Sequence, residues 1–132
     1  IDREISNEEK VGILIEGDVQ EIDISLTVGF ALYTIEGQIL YWSLQTDMEK
    51  KKWPVVEKGK NKLICWLPSH FLNEGGYRVE MILSLHFREW LSRPEVNAPV
   101  LQFSIRGGLS NSPYWMSARP GHLGPILPFE KL

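Results

Sequence analysis

The feature that most constrains this chain is a period of two in its apolar residues. From Ile22 the even positions run Ile22, Ile24, Leu26, Val28, Phe30 and Leu32, while the odd ones are Asp23, Ser25, Thr27, Gly29, Ala31 and Tyr33. Successive side chains of an extended strand point to opposite faces, so this run predicts a strand with one face buried. The segment from Tyr77 repeats the pattern. Tyr77, Val79, Met81, Leu83, Leu85 and Phe87 fall on one side, and Arg78, Glu80, Ser84 and His86 on the other. Leu101, Phe103 and Ile105 alternate with Gln102 and Ser104, and a shorter run from Leu63 to Leu67 stops at Pro68. Val11 to Ile15 reads as a further strand, and Trp53 to Val56, interrupted by Pro54, as a weak edge piece. The best helical candidate, Arg88 to Ser92, is too short for more than one turn. Roughly seven strands without intervening helices predict an all-β, antiparallel β-sandwich.

Phase also predicts the first hairpin. Leu40, Trp42 and Leu44 occupy even positions, so the connection must keep even residues inward on both strands. A three-residue loop, Ile35 to Gly37 with Gly37 in the left-handed conformation, pairs Leu32 with Leu40, Phe30 with Trp42 and Val28 with Leu44. In that register Trp42 belongs to the core. Tyr33 and Tyr41 face outward, over a floor of Gly29, Ala31 and Ser43.

At 132 residues a chain buries enough surface to need neither disulfide nor metal. One domain is expected over 1–132, with a flexible N-terminal linker at 1–10. Residues 107–132, rich in proline and glycine, are expected to pack as a tail across the sandwich or onto a partner, because their aromatic and aliphatic side chains are poorly left in water. The net charge of −3, with basic residues clustered only at Lys50–Lys52 and at Lys58, Lys60 and Lys62, argues against duplex nucleic acid as a partner. The lone cysteine, Cys65, lies in an apolar run and reads as a buried, inert thiol, consistent with a reducing compartment. No apolar stretch is long enough to span a bilayer, and the start at Ile1 suggests a processed product or a domain cut from a longer protein.

Motifs for catalysis are scarce. The phosphate-loop, dinucleotide-fold and nucleophile-elbow patterns do not occur, and His70, His86 and His122 lack the short spacing of zinc sites, so no cofactor or metal is expected. Glu80 is the one acid well inside a predicted strand, with no second carboxylate marked to work with it as a glycosidase would require. Outward aromatics are the stronger signal. Tyr33, Tyr41 and Trp66, with Trp90 and Trp115 in loops or at edges, offer flat rings on which sugars stack, and Arg78, His86 and Gln102 supply hydrogen bonds for hydroxyls. Ile39, Ile64 and Ile82 also point outward, which implies that protein covers part of this surface.

The order of landmarks has a counterpart. Val28-Gly29-Phe30-Ala31-Leu32-Tyr33-Thr34 with Glu36-Gly37, then Lys58-Gly59-Lys60, Leu67-Pro68, Phe71-Leu72-Asn73-Glu74-Gly75 and Tyr77, resembles the C-terminal domain of Wzt-type ATP-binding subunits of O-antigen ABC transporters. Ser112-Pro113-Tyr114-Trp115 and Arg119-Pro120-Gly121 are similar to the ending of many members. The resemblance implies an immunoglobulin-like or jelly-roll sandwich that binds a lipid-linked polysaccharide without catalysis. It also implies a homodimer that can exchange a terminal strand. In the full assembly such a domain works beside a nucleotide-binding domain and a transmembrane subunit, at the cytoplasmic face of the bacterial inner membrane. Two other readings compete: a β-sandwich module for dimerisation alone, and a sugar-processing enzyme dependent on Glu80.

Overall fold

The structure, a computed structural model, describes residues 2–85, 89–108, 110–115 and 119–132. Eight strands follow one another along the chain: β1 (Asp2–Ile5), β2 (Val11–Val19), β3 (Leu26–Thr34), β4 (Ile39–Leu44), β5 (Gly59–Leu67), β6 (Gly75–Leu85), β7 (Glu89–Ser92) and β8 (Val100–Ile105). A single turn of 3-10 helix at Lys50–Lys52 precedes β5, and the described residues contain no α-helix. Six strands form one sheet in the order β1-β8-β6-β3-β4, with β7 also paired to β6; β2 and β5 form the second sheet.

The two sheets face each other across a core of Phe30, Leu32, Tyr77, Val79, Phe103 and Ile105 from the large sheet and Ile13 and Leu67 from the small one. β3 and β6 are central because their inward residues are apolar throughout and their ladder runs unbroken from Leu26–Leu85 to Thr34–Tyr77. Burying a side chain such as Phe30 contributes about 1.5–3 kcal/mol, so this ladder dominates the stability of the fold.

Several expectations are revised. The large sheet is mixed, because β1 runs parallel to β8 and sets Ile5 against Ile105; the stretch read as an N-terminal linker thus contains a strand with a buried Ile5. Ile22 and Ile24 do not extend β3. Asp23 Oδ1 accepts hydrogen bonds from the Ser25 backbone and hydroxyl, at 2.9 and 2.6 Å, and closes a turn that leaves Ile24 in solvent. Glu89–Ser92 is the strand β7 rather than a helical turn, and Trp53 to Val56 is outside any strand.

The hairpin carries the most consequential revision. Its three-residue loop is as the phase requires: the Thr34 N–H donates to the Gln38 carbonyl, and Gly37 sits at φ 97, a conformation glycine adopts without cost. Immediately beyond it, Tyr33 pairs with Ile39 but Leu32 pairs with Tyr41, so Leu40 is an extra residue in a β-bulge. Every later position on β4 is shifted by one, and a shift of one exchanges faces. Tyr41 turns inward, edge-on to Phe30 at 6.2 Å and to Phe71 at 5.9 Å, and Trp42 turns outward beside Ala31.

The tail is tied to the sandwich through Asn73 and Tyr77. Asn73 Nδ2 donates to the carbonyls of Arg119 and Gly121, and the Tyr77 hydroxyl lies 2.7 Å from the Asn73 carbonyl and 3.1 Å from that of His122. Leu72 and Leu123 form an isolated bridge. After Gly124 the chain leaves the sandwich, with Ile126, Leu127 and Phe129 exposed.

Candidate functional site

Three sheet surfaces remain open to a ligand: the outer face of the large sheet, the outer face of the small sheet, and the flanks between them. The larger grooves of the flanks have volumes of about 380 and 490 Å³. Their linings are mainly aliphatic, with Met81, Leu83 and Leu85 in one and Ile13, Val28 and Leu44 beside Phe30 in the other, and a smaller groove of about 160 Å³ has Trp53 at its rim. The Phe30 ring is 1% exposed, and none of these grooves sets two exposed rings side by side as a sugar platform.

The outer face of the large sheet has that platform. Ladder geometry lines up Gln102, Arg78, Tyr33 and Ile39 in one row across β8, β6, β3 and β4, and Glu80, Ala31 and Trp42 in the next. Trp90, placed by β7 opposite Ser84, reaches back until its ring stands 5.7 Å from that of Trp42 at an interplanar angle of 89°. The two indoles are 45% and 41% exposed and form a right-angled corner on this face. The Arg93 guanidinium lies 5.7 Å from the Trp90 ring. From Trp42 on β4 to Gln102 on β8 is three strand spacings, about 15 Å, the length of a short oligosaccharide.

Behind the corner is a polar clamp. Glu80, 5% exposed, accepts from Arg78 Nε at 3.1 Å through one oxygen and from the Glu95 N–H at 3.1 Å through the other. Glu95 itself sits at φ 65, so the carboxylate holds a non-glycine residue in the left-handed region and ties the β7–β8 connection to the sheet. Each Glu80 oxygen thus has a structural partner, and the carboxylate ties Arg78 to the β7–β8 connection. Among the described residues no three His, Cys, Asp or Glu side chains gather as a metal site.

The site residues expected from the sequence divide accordingly. Tyr33 faces outward but is only 3% exposed, because the Arg78 guanidinium covers its ring at 4.7 Å. Burial, with Glu95 and Glu80 nearby, raises its phenol pKa against the opposing pull of Arg78. It is part of the floor, not a stacking ring. Tyr41 is an inward residue; burial, and secondarily Cys65, pushes its phenol up to about 12. Arg78, Gln102 and Trp90 share the large outer face. Trp115 is on the tail, its ring covered by the Arg119 guanidinium at 3.7 Å. His86 lies outside the described residues. Trp66 faces outward as its phase requires, 50% exposed, but on the small sheet, with Lys10 Nζ 4.7 Å from its ring. Trp42 is the residue that sequence phase missed, since only the bulge at Leu40 turns it outward.

No protein-family model matches the sequence, and no curated protein matches it. Among solved structures, the fold is similar to the crystal structure of the C-terminal domain of Wzt, with a TM-score of 0.56 over 97% of this chain and 73% of that one, at 14% identity. The likeness is one of fold: an all-β arrangement of two sheets. Among the described residues no helix is long and apolar enough to cross a membrane.

Proposed function

We propose that this chain is a non-catalytic carbohydrate-binding module for an O-antigen-type polysaccharide, and that the glycan lies across the outer face of the large sheet. The observation that carries this reading is the exposed right-angled pair of Trp42 and Trp90. One indole gives a sugar ring a flat apolar surface and the other a wall, while Arg93, Arg78 and Gln102 offer donors to hydroxyls along the same face. The fold likeness to the Wzt C-terminal domain supports the transport setting. In that setting the sandwich is of the immunoglobulin-like or jelly-roll kind, the ligand is a lipid-linked polysaccharide for an ABC transporter, and the domain acts at the cytoplasmic face of the inner membrane. Its neighbours there are a nucleotide-binding domain and a transmembrane subunit. The apolar end of the chain, Ile126 to Phe129, suits exchange between two protomers.

Tryptophan fluorescence during titration with O-antigen tests the reading. Saturable change is expected, and Trp42→Ala or Trp90→Ala should each weaken binding about thirtyfold, the effect of losing about 2 kcal/mol at a central aromatic contact. An unchanged spectrum at about 1 mM glycan, or variants that bind as the parent does, would overturn it.

A further inference from the structure

Trp90 owes its position to more than the ladder of its own strand. β7 is four residues long and meets β6 at three pairs, with a register shift between Leu83 and Ser84. Beyond Ser92 the chain cannot simply run on, because β7 and β8 pair with the same edge of β6, so residues 93–99 must leave the sheet and return to it. Departure and return are held at one residue: the Ser92 hydroxyl donates to the Met81 carbonyl at 3.0 Å, and the Met81 N–H donates to the Pro99 carbonyl at 3.1 Å. Between these points residues 93–97 close a turn on themselves. The Arg93 N–H donates to Asn97 Oδ1 at 2.8 Å, and the Arg93 carbonyl accepts from the N–H groups of Val96 and Asn97, each at 3.1 Å.

Glu80 fastens this turn to the outer face of β6, with Oε1 accepting the Glu95 N–H and Oε2 accepting Arg78 Nε. Glu95 stands at φ 65, a conformation disfavoured for a residue with a side chain, and it persists only where its surroundings fix it. Glu80 also shares a cross-strand row with Ala31 and Trp42. Fixed contacts therefore run from Trp42 through Ala31 and Glu80 to the turn, and from the turn through the Arg93 guanidinium, 5.7 Å from the Trp90 ring, to Trp90 itself. The circuit closes where the two indoles meet. We propose that Glu80 is a positioning residue for the carbohydrate corner. By fixing the turn it holds Trp90 at a right angle to Trp42 before a glycan arrives, so ordering the indole does not oppose binding. The proposal rests on the glycan reading for its ligand, whereas the geometry it explains exists without one.

Two readouts separate positioning from stability. The first needs no glycan: two indoles in contact at a right angle should give an exciton couplet in far-ultraviolet circular dichroism, which Trp42→Ala or Trp90→Ala removes. Glu80→Ala should lose most of that couplet while the chain stays folded, and Glu80→Gln, which keeps an acceptor for the Glu95 N–H, should retain it. The second readout is the glycan titration, in which Glu80→Ala should bind about tenfold more weakly and Glu80→Gln within about twofold of the parent. Glu95→Gly is the control for strain. It keeps the donating N–H and adopts the left-handed conformation freely, so alone it should bind as the parent does. Added to Glu80→Ala, it should recover stability in chemical denaturation but neither the couplet nor the affinity. If Glu80→Ala fails to fold, this double variant carries the same test. The proposal is overturned by a parent without a couplet, by a folded Glu80→Ala that keeps the couplet or the parent's affinity, or by a double variant that regains affinity together with stability. If the couplet responds as expected and no glycan perturbs the parent, the positioning of Trp90 stands and the glycan reading falls.

Discussion

The two outer faces of this molecule carry exposed tryptophans to similar extents, yet their surroundings differ in kind. On the large sheet Trp42 and Trp90 meet at a right angle among Arg93, Arg78 and Gln102, with the Glu80 clamp beneath. On the small sheet Trp66 lies low over Gly12 beside aliphatic residues, and the charges are sorted into an acidic and a basic strand. A corner with scattered donors suits a hydroxyl-rich ring. On the small sheet a single indole carries the Lys10 ammonium over its ring and has no second ring beside it to form a corner. Exposure alone does not separate these cases; the neighbours do.

The harshest way to break the comparison is to delete Leu40. Without the extra residue, β4 must either take the uninterrupted register, which draws Tyr41 away from Phe30 and Phe71, or lose its pairing with β3. We expect a loss of about 3–5 kcal/mol in chemical denaturation, the scale of removing a large ring from a core, and loss of the glycan response with it. Next in size is Glu80→Ala. It strips Arg78 and the Glu95 N–H of their shared acceptor and should cost about 2–3 kcal/mol, with faster amide exchange in the β7–β8 connection.

Alkaline titration sharpens the contrast between inward and outward tyrosines. Burial raises the phenols of Tyr41 and Tyr77 to about 12 from 10.0. Between those values the folded state holds protons that the unfolded chain releases, so stability is unaffected below pH 10 and declines as pH rises toward 12. Tyr41→Phe should shallow that decline in pH-dependent denaturation. An outward Tyr41, as the unbulged register has it, would leave the slope unchanged. The smallest expected effect is that of salt. Raising ionic strength from about 0.05 to 0.5 M should leave glycan affinity nearly constant, because stacking on Trp42 and Trp90 is not screened.

Much of this molecule is legible in its sequence. The period of two in β3 and β6 marks their inward faces, because burial on one side of a pleated strand admits no other spacing. It also sets Arg78, Gln102 and Trp66 on outward positions, and Glu36-Gly37 marks the turn. What local pattern leaves open is where a ladder slips. Leu40 and Tyr41 are both apolar enough to face the core, and both do so, with Phe71 arriving from a distant segment to pack against the Tyr41 ring. Only that packing decides that Trp42 is a surface residue. Likewise, Tyr33 has the phase of an exposed ring, and a guanidinium two residues removed from Glu80 on another strand covers it. The sequence by itself thus determined the strands with regular apolar alternation and which way most of their side chains point, since those follow from short-range geometry, whereas β1 and β7 form only by pairing with β8 and β6. Tertiary structure alone decided which tryptophans share a face and what company they keep, because those depend on register and on contacts between segments far apart along the chain.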